Sequence, residues 1–202
     1  MPLISQDQAF DVLSPHLDSL LRVATAPWDD YHARVPKELL VVFCRRTRAS
    51  AIHNLMVHEA TRFAMTTDGV RIFERNSMKG LVLDERIAIR FKKLDEEGLS
   101  RGHYTQQVEE FRSQRELDGI DAAHHLELGY VLNRDETEIS EVRIVCPSGR
   151  GTAWWSRIDA TGIQPMVFDL FPTPVPSGDG GAVVKPKDKG VVVPLRGKND
   201  EG

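Results

Sequence analysis

The chain has 202 residues, of which 41% are hydrophobic and 28% are charged, and its formal net charge at pH 7 is -4. This length suits one domain with a hydrophobic core, and the weakly negative charge shows none of the basic character that attracts nucleic acid. The two cysteines, Cys44 and Cys146, are far apart and have no C-x-x-C spacing, so the sequence predicts neither a zinc site nor a disulfide framework.

The amino-terminal segment MPLISQDQAF has neither the basic region nor the apolar core of a signal peptide. No apolar run reaches the roughly 18 residues that a transmembrane helix needs. The sequence therefore predicts a cytoplasmic protein that does not enter a membrane.

The first third of the chain is predicted to be helical. Ser5 is a suitable N-cap, and the apolar residues after it recur at three- and four-residue spacing, which indicates an amphipathic helix to about Ala24. The segment 26–30, APWDD, is expected to break that helix. Residues 37–65 contain no glycine and are predicted to form one long helix, or two helices joined near residues 47–50.

One acidic residue stands out in this helical segment. Ile52 and Met56 belong to an apolar stripe at the helical period, and Glu59 projects into its middle. A carboxylate in such a position must be paired, protonated or bound as a ligand, because an isolated buried charge costs a great deal of free energy. We expect an ion pair with Arg90 or Arg86, while a metal-binding or catalytic role and partial exposure of Glu59 stay open.

The period changes from helical to alternating at residue 70. Residues 70–74 are predicted to form a strand, with turns at 76–77 and 79–80, and residues 81–93 a further strand or a hairpin that turns near Asp84 and Glu85. The apolar residues of this stretch share one face. Four charged residues fall on the other face: Asp84, Arg86, Arg90 and Lys92. Such a face could contact a polyanion, a carboxylate, a metal ion or solvent.

The remaining elements are one short helix and a meander of strands. Thr105 is a suitable N-cap for a mostly polar helix over residues 105–117. Alternating apolar residues then predict strands near 126–132, 142–146 and 154–158. Beyond Pro172 the chain is rich in proline, glycine and lysine and has no clear period, so a flexible tail is predicted.

Together these elements predict an α+β fold. Its N-terminal helices, within residues 1–66, pack on a mostly antiparallel sheet of about five strands. The sheet and one inserted helix occupy residues 67–171 and belong to the same domain as the N-terminal helices. Residues 172–202 are predicted to form a disordered tail.

The sequence contains no complete catalytic motif. His58 and Glu59 begin like the HExxH helix of zinc proteases, but Arg62 occupies the position of the second histidine. There is also no P-loop, no dinucleotide-binding fingerprint and no serine-hydrolase elbow. The sequence alone leaves open whether the protein is an enzyme.

One class of enzyme fits in part. Metal-dependent nucleases of the restriction-endonuclease type place a helix glutamate beside strands that supply an aspartate and a (D/E)xK pair. The carboxylates hold Mg²⁺, and the lysine orients the attacking water or the phosphate. Glu59, Asp84 and Lys92 are the candidate catalytic residues. Arg90 stands where the second acid is required and cannot ligate Mg²⁺, so such a site would be degenerate, and no metal or other cofactor is predicted outside this alternative.

A protein that binds nucleic acid without cleaving it is a second alternative. Its basic surface would comprise Arg45, Arg46, Arg48, Arg86, Arg90, Lys92, Lys93 and Arg101, with His103, Tyr104 and Trp155 to stack on bases. Acidic residues at 84, 85 and 95–97 lie among these cations. Mixed charge of this kind is more typical of a protein interface or a solvated surface.

Several segments carry a resemblance to a known family. They are RTRASAIHN (46–54), IRFKKLDEEG (89–98), YTQQ (104–107), FRSQ (111–114), LGYVLN (128–133) and EVRIVCPSG (141–149), followed by Trp154 and Trp155. In this order they resemble a family of small uncharacterised bacterial proteins encoded beside helix-turn-helix and zinc-peptidase genes in toxin–antitoxin-like or phage-defence loci. The similarity extends from about Arg46 to Ile158.

The resemblance implies a protein partner encoded by a neighbouring gene and a role in growth control or immunity, and it assigns neither a reaction nor an oligomeric state. The leading hypothesis is a protein-interaction component of such a module. Its binding residues are predicted to cluster where one strand ends and the next helix begins: Arg90, Lys92, Lys93, Asp95, Tyr104, Thr105 and Gln106. A helix N-terminus beside basic residues is a suitable anion site, although an ordinary helix cap explains the same residues.

Overall fold

The structure is a computed structural model that describes residues 3–100, 105–120, 122 and 124–165. The chain divides into a compact unit, Met1–Phe168, and a second unit, Asp169–Gly202. The predicted tail at 172–202 and the loop residues 101–104 lie outside the described part. Within that part the fold is α+β, as predicted. None of the helices described there combines the length and the apolar character needed to cross a lipid bilayer.

The described residues form five α-helices: α1 (Gln6–Leu13), α2 (Leu17–Arg34), α3 (Lys37–Val42), α4 (Arg45–Thr66) and α5 (Gln106–Arg112). A 3₁₀ turn, Ser14–His16, joins α1 to α2. Ser5 caps α1 as predicted, because its side chain accepts a hydrogen bond from the Gln8 amide and the Gln8 side chain accepts one from the Ser5 amide. Thr105 caps α5, but this helix ends at Arg112, earlier than predicted.

The predicted break of the first long helix is wrong, because α2 continues through Pro27. Proline has no amide hydrogen to donate within the helix and usually ends or kinks it. Here Trp28 and Tyr31 are buried in the core together with Pro27, and this burial stabilises the helical path. The next segment forms two helices, which join at residues 43–44 and not near residues 47–50.

Seven strands form one sheet in the order of the chain: β1 (Val70–Arg75), β2 (Met78–Leu83), β3 (Ile87–Leu94), β4 (His124–Leu132), β5 (Ile139–Ser148), β6 (Gly151–Asp159) and β7 (Gly162–Pro165). All neighbouring strands are antiparallel except β3 and β4, which are parallel and are connected through α5. The predicted count of about five strands is too low. The stretch 78–94 forms two strands, and β7 is too short to show an alternating pattern in the sequence.

The stretch with alternating charge forms the β2–β3 hairpin. Asp84 and Glu85 have left-handed φ values of 50° and 52°, and the Arg86 amide donates to the Leu83 carbonyl oxygen at 2.9 Å. Leu83 pairs with Ile87, so the hairpin, one of the two predicted alternatives, is confirmed with a loop of residues 84–86. Asn76 and Ser77 form the preceding turn, also as predicted. Residues 79–80 were expected to belong to a turn but lie inside β2.

Both faces of the sheet are covered. α2 and α4 pack on one face, where apolar side chains of β2, β3, β4 and β5 form the larger core. The segment 105–122, which includes α5, covers part of the other face with Phe111, Leu117 and Ile120. The charged side of β3 faces this second layer, so Arg90 is buried and not solvated.

Candidate functional site

An open cleft lies at the end of the sheet where the parallel strands β3 and β4 terminate. Its volume is about 850 Å³, within the range of small-molecule sites. Three parts of the chain line it: the first half of α4, the end of β3 with the loop that follows, and the end of β4 with the turn into β5. The cleft therefore lies between α4 and the carboxyl edge of the parallel strand pair.

Glu136 connects the walls of this cleft. It lies in the turn between β4 and β5, and its carboxylate accepts hydrogen bonds from Lys93 of β3, at 2.8 Å, and from Arg48 of α4, with Arg45 3.4 Å away. The hydrogen bond from Lys93 is the main reason that the pKa of the Glu136 carboxyl lies below its usual range. These ion pairs hold α4, β3 and the β4–β5 turn together at the rim.

Two aromatic side chains lie deeper in the cleft. His53 of α4 is largely buried, and this burial, followed by the charges of Lys92 and Arg90, lowers the pKa of its imidazole below the ordinary value. The ring is therefore neutral near physiological pH. Tyr130 of β4 is buried, and burial raises the pKa of its hydroxyl. Neither ring adds charge to the cleft.

Lys92 connects the cleft with the face of the sheet that α5 covers. It lines the cleft, and its half-buried side chain lies near Arg90, Glu127 and Arg112. Burial is the main cause that lowers the pKa of its ammonium to about 8, and the charge of Arg90 adds to this effect. Lys92 is thus a desolvated cation that can contact a molecule in the cleft.

Arg112, Glu127 and Arg90 form a buried charged network under α5. Arg112 donates to the Glu127 carboxylate at 2.5 Å and to the carbonyl oxygens of Gly149 and Gly151, each at 2.8 Å. Arg90 lies 3.9 Å from the other oxygen of Glu127. All three charged side chains are at most 5% exposed. The network ties α5 to β3, β4 and the turn before β6.

Glu59 makes an ion pair, but not with the predicted partners. It contacts Arg22 at 2.6 Å and Arg62 at 3.1 Å, so the pairing expected with Arg90 or Arg86 is wrong. The reason is the packing of α2 beside α4, which places Arg22 next to Glu59. Glu59 is therefore a structural residue of the helix layer.

The other two candidate catalytic residues lie far apart. Asp84 is exposed in the β2–β3 turn, whereas Lys92 lies near the opposite end of β3. The run from Ile87 to Lys92 alone corresponds to about 17 Å of strand. The structure therefore does not bring Glu59, Asp84 and Lys92 together. Within the described ranges, no three His, Cys, Asp or Glu side chains are grouped as metal ligands would be.

Four of the predicted binding residues lie at or beneath the cleft. Lys92, Lys93 and Asp95 line it, and Arg90 lies next to Lys92. Asp95 accepts a hydrogen bond from the Leu99 amide at 2.8 Å, and Lys93 is held by the rim carboxylate described above. Lys92, Lys93 and Asp95 thus lie together at the end of β3, with Arg90 beneath them, and their role in binding stays a prediction.

Thr105 and Gln106 lie elsewhere. They begin α5, which starts over β1, because the adjacent Gln107 side chain donates to the Arg75 carbonyl oxygen at 2.6 Å. β1 lies two strands from β3, a distance of about 10 Å. Gln106 bonds to Glu110 at 3.0 Å within its own helix. Tyr104 lies outside the described residues, and the anion site at the start of α5 stays a prediction.

Much of the basic surface of the nucleic-acid-binding alternative is used in internal contacts. Arg45, Arg48 and Lys93 all pair with Glu136. Trp155, a predicted stacking residue, is buried and does not present its ring to a base. The predicted contacts at positions 101, 103 and 104 lie outside the described residues.

Three important residues escaped the sequence analysis. Glu127 is the only acidic residue in the buried strand β4, HHLELGYVL, and a lone acid in such a strand signals a buried partner. Arg112 and Glu136 carry no comparable signal, since they lie in a polar helix and a polar turn. Their roles depend on contacts with strands distant in the sequence.

Large aliphatic side chains are exposed on α3. Val41 is 89% exposed, Val42 is 75% exposed and Leu39 is 43% exposed. None of the six residues of α3 is buried. Leu39, Val41 and Val42 together are named the α3 patch. Clustered exposed aliphatic residues mark interaction surfaces, whereas scattered single ones do not.

Comparison with known proteins does not assign the chain to a family. No protein-family model matches it, and neither a curated protein nor a solved structure matches it. The resemblance carried by residues 46–158 stays a prediction, and the case for a function rests on the surfaces described above.

Proposed function

We propose that this protein is a cytoplasmic component of a bacterial toxin–antitoxin-like or phage-defence module, and that it acts by binding a protein partner encoded by a neighbouring gene. The observation that carries the proposal is the α3 patch, whose three aliphatic side chains are left uncovered by the rest of the described chain. A protein partner would remove these side chains from water.

The α3 patch has the energetic character of an interface centre. Complete burial of one valine or leucine side chain is worth about 1.5–3 kcal/mol. A few adjacent side chains of this kind supply most of the affinity of many interfaces. Val41 and Val42 are almost fully available for such burial in the isolated chain.

Charged residues surround the α3 patch. Lys37 and Glu38 are exposed in the first turn of α3, and Arg46 is exposed in the first turn of α4. Arg46 makes no ion pair within the described part of the chain. An apolar centre with a charged rim is the usual anatomy of a protein interface.

The cleft supports the proposal through the segments that form it. Residues from 46–54, 89–98 and 128–133, three of the segments that carry the family resemblance, line this one cleft. The cleft begins at α4, directly after the α3 patch in the chain. Segments that resemble those of one family and that line one surface are expected if the members of that family bind the same kind of partner there.

Co-expression with the products of the neighbouring genes tests the proposal. The tagged chain is expressed in a bacterial host alone and with each neighbouring product, while growth is followed and complexes are captured on the tag. We expect one neighbour to co-purify and to change the effect of the chain on growth. Degradation of nucleic acid by the purified chain alone, or the absence of a complex with every neighbouring product, would overturn the proposal.

A further inference from the structure

Three cationic side chains share one carboxylate on the face of the sheet that α5 covers. On the face of the sheet under α5, the side chains of Arg90, Lys92 and Arg112 surround one carboxylate, that of Glu127. Buried charges require opposite charges or hydrogen-bond acceptors, because their transfer from water is costly. One carboxylate does not compensate three cations.

Arg112 takes most of the hydrogen-bond acceptors that lie near these cations. Its hydrogen bonds reach Glu127 and two backbone carbonyl oxygens. Arg90 stays 3.9 Å from Glu127, beyond hydrogen-bond distance, and its Nη1 atom has no hydrogen-bond partner in the described part of the chain. The Arg90 guanidinium instead stacks on the Phe111 ring, 5.0 Å from its centre. The charge of Arg90 is therefore only partly compensated by Glu127.

Lys92 is the cation of this group that lines the cleft. It follows Arg90 by two residues on the same face of β3 and lines the cleft. Within the described ranges its ammonium has no ion-pair or hydrogen-bond partner. Among the three cations, Lys92 is the one that a molecule in the cleft can reach.

We infer that the cleft binds a small molecule through an oxyanion group of the phosphate or sulfate type, with the Lys92 ammonium as its buried contact and Arg46 and Arg134 as exposed contacts. Both arginines line the cleft and make no ion pair within the described residues. A cleft of about 850 Å³ holds a molecule of nucleotide size. This site shares Arg46 with the rim of the α3 patch but includes none of the three patch side chains.

Lys92 gives oxyanion binding a dependence on pH. The pKa of its ammonium is about 8 in the free protein, and only the protonated form attracts an anion. Affinity should therefore fall about tenfold for each pH unit above that pKa, and binding near the pKa should take up a proton.

The other groups around Lys92 do not produce this dependence. Arg90 and Arg112 are guanidinium groups, and Glu127 is held in its ion pair with Arg112. His53, across the cleft on α4, is already neutral because its pKa is lowered. The carboxylates at 95–97, on the loop after β3, line the same cleft. We therefore attribute the change in anion affinity with pH to the protonation of Lys92.

Calorimetric titration with inorganic sulfate and with AMP, at about pH 7 and about pH 9.5, tests the site. Sulfate stays a dianion over this range, so a change in its affinity with pH reports a group on the protein. We expect both probes to bind more tightly at the lower pH, and Lys92→Met to weaken both by at least about tenfold. Lys92→Arg should keep binding at the higher pH, because a guanidinium stays charged there.

Lys79→Met is the matched control. Lys79 pairs with Glu74 on the β1–β2 hairpin, away from the cleft, so this variant should bind both probes as the wild type does. Circular dichroism checks that each variant is folded. If Lys92→Met does not fold, the pH dependence of the wild type and the behaviour of Lys92→Arg still decide the question.

The two probes also distinguish the possible ligands. Tighter binding of AMP than of sulfate would support a phosphate ester as the ligand, and equal binding that depends on Lys92 would support recognition of the oxyanion alone. Equal affinity of Lys92→Met and the wild type for both probes, an affinity for sulfate that does not change with pH, or the absence of binding would overturn the inference.

Discussion

Arg112 and Glu127 form a buried ion pair of 2.5 Å on the face of the sheet that α5 covers. The pair joins a helix to the strand that follows it in the chain. Because Arg112 also donates to the carbonyl oxygens of Gly149 and Gly151, one side chain fixes α5, β4 and the β5–β6 turn relative to one another. Its removal leaves several buried polar groups without partners.

We expect Arg112→Met to lower the free energy of unfolding by about 3–5 kcal/mol, because it leaves the Glu127 carboxylate buried and poorly compensated. The double variant Arg112→Met, Glu127→Leu should recover at most a small part of this loss, since it removes both charges of the pair but leaves the buried Arg90 without its carboxylate. Denaturant titration measures both effects. Arg157→Met is the control, because Arg157 is half-exposed and 3.9 Å from Asp159. A cost for Arg112→Met as small as that of the control would contradict the role of the ion pair.

Acid should destabilise the protein through His125. This ring is buried, stacks on Phe111 with 4.4 Å between ring centres, and donates from Nδ1 to the Phe111 carbonyl oxygen at 3.0 Å. Burial lowers the pKa of His125 to about 4, below its value of about 6.5 in an unfolded chain. Between these pH values the unfolded chain binds the additional proton, so the free energy of unfolding falls as pH decreases. The contribution is complete above about pH 6.5 and decreases by up to about 1.4 kcal/mol for each pH unit below it.

Denaturant titration at about pH 7.5 and about pH 5 measures this loss. His125→Gln should show a smaller difference between the two pH values than the wild type. His58→Gln, at an exposed position of α4, should keep the difference of the wild type. If His125→Gln showed the same difference in the free energy of unfolding between the two pH values as the wild type, a group other than His125 would cause the loss of stability in acid.

The rim of the cleft should depend on the ion pair between Glu136 and Lys93, which are 2.8 Å apart. In a double-mutant cycle with Glu136→Gln and Lys93→Met, we expect a coupling free energy of about 1 kcal/mol that decreases with added salt. The pKa of Glu136 is lowered in the folded protein, so this stabilisation is present at neutral pH and is lost as pH falls through that pKa. The exposed pair of Glu74 and Lys79 is the control. Equal coupling in the two pairs would contradict a special role for Glu136.

Gly80 should not tolerate a side chain. It lies inside β2, where a Cβ atom would be 2.1 Å from the Ile89 carbonyl oxygen and 2.6 Å from the Phe73 ring. Since the carbonyl belongs to the paired strand, Gly80→Ala should lower the free energy of unfolding by about 3 kcal/mol. The control is Gly151→Ala, whose Cβ would be 3.7 Å from the Ser148 carbonyl oxygen, an ordinary contact. Equal stability of the two variants in a thermal melt would argue against the β2–β3 register.

Local patterns are sufficient to predict several elements of this fold. The alternation of apolar and charged residues predicts the β2–β3 hairpin, and the polar pair Asp84 and Glu85 marks its turn. The caps at Ser5 and Thr105 follow from side chains that can accept a hydrogen bond from a helix amide. These features depend on residues a few positions apart, so the sequence shows them directly.

Contacts between segments that are distant in the chain cannot be predicted from such local patterns. Alternation shows that Arg90 and Lys92 share a face, but not that the segment 105–122 returns to cover part of it. The helical period shows that Glu59 needs a partner, but the choice of Arg22 depends on how α2 packs beside α4. The cleft has no signature either, because the parallel pairing of β3 and β4 brings its walls together.

Partner binding through the α3 patch is tested most directly by measuring the affinity of the co-purifying neighbouring gene product for surface variants of this protein. Val41→Asp, Val42→Asp should weaken binding at least about 100-fold, since it places two charges at the apolar centre of the interface. Met65→Asp is the matched control, because Met65 is 80% exposed and lies about 30 Å further along α4; its affinity should equal that of the wild type. Equal affinity of the α3 patch variant and the wild type would contradict partner binding at α3.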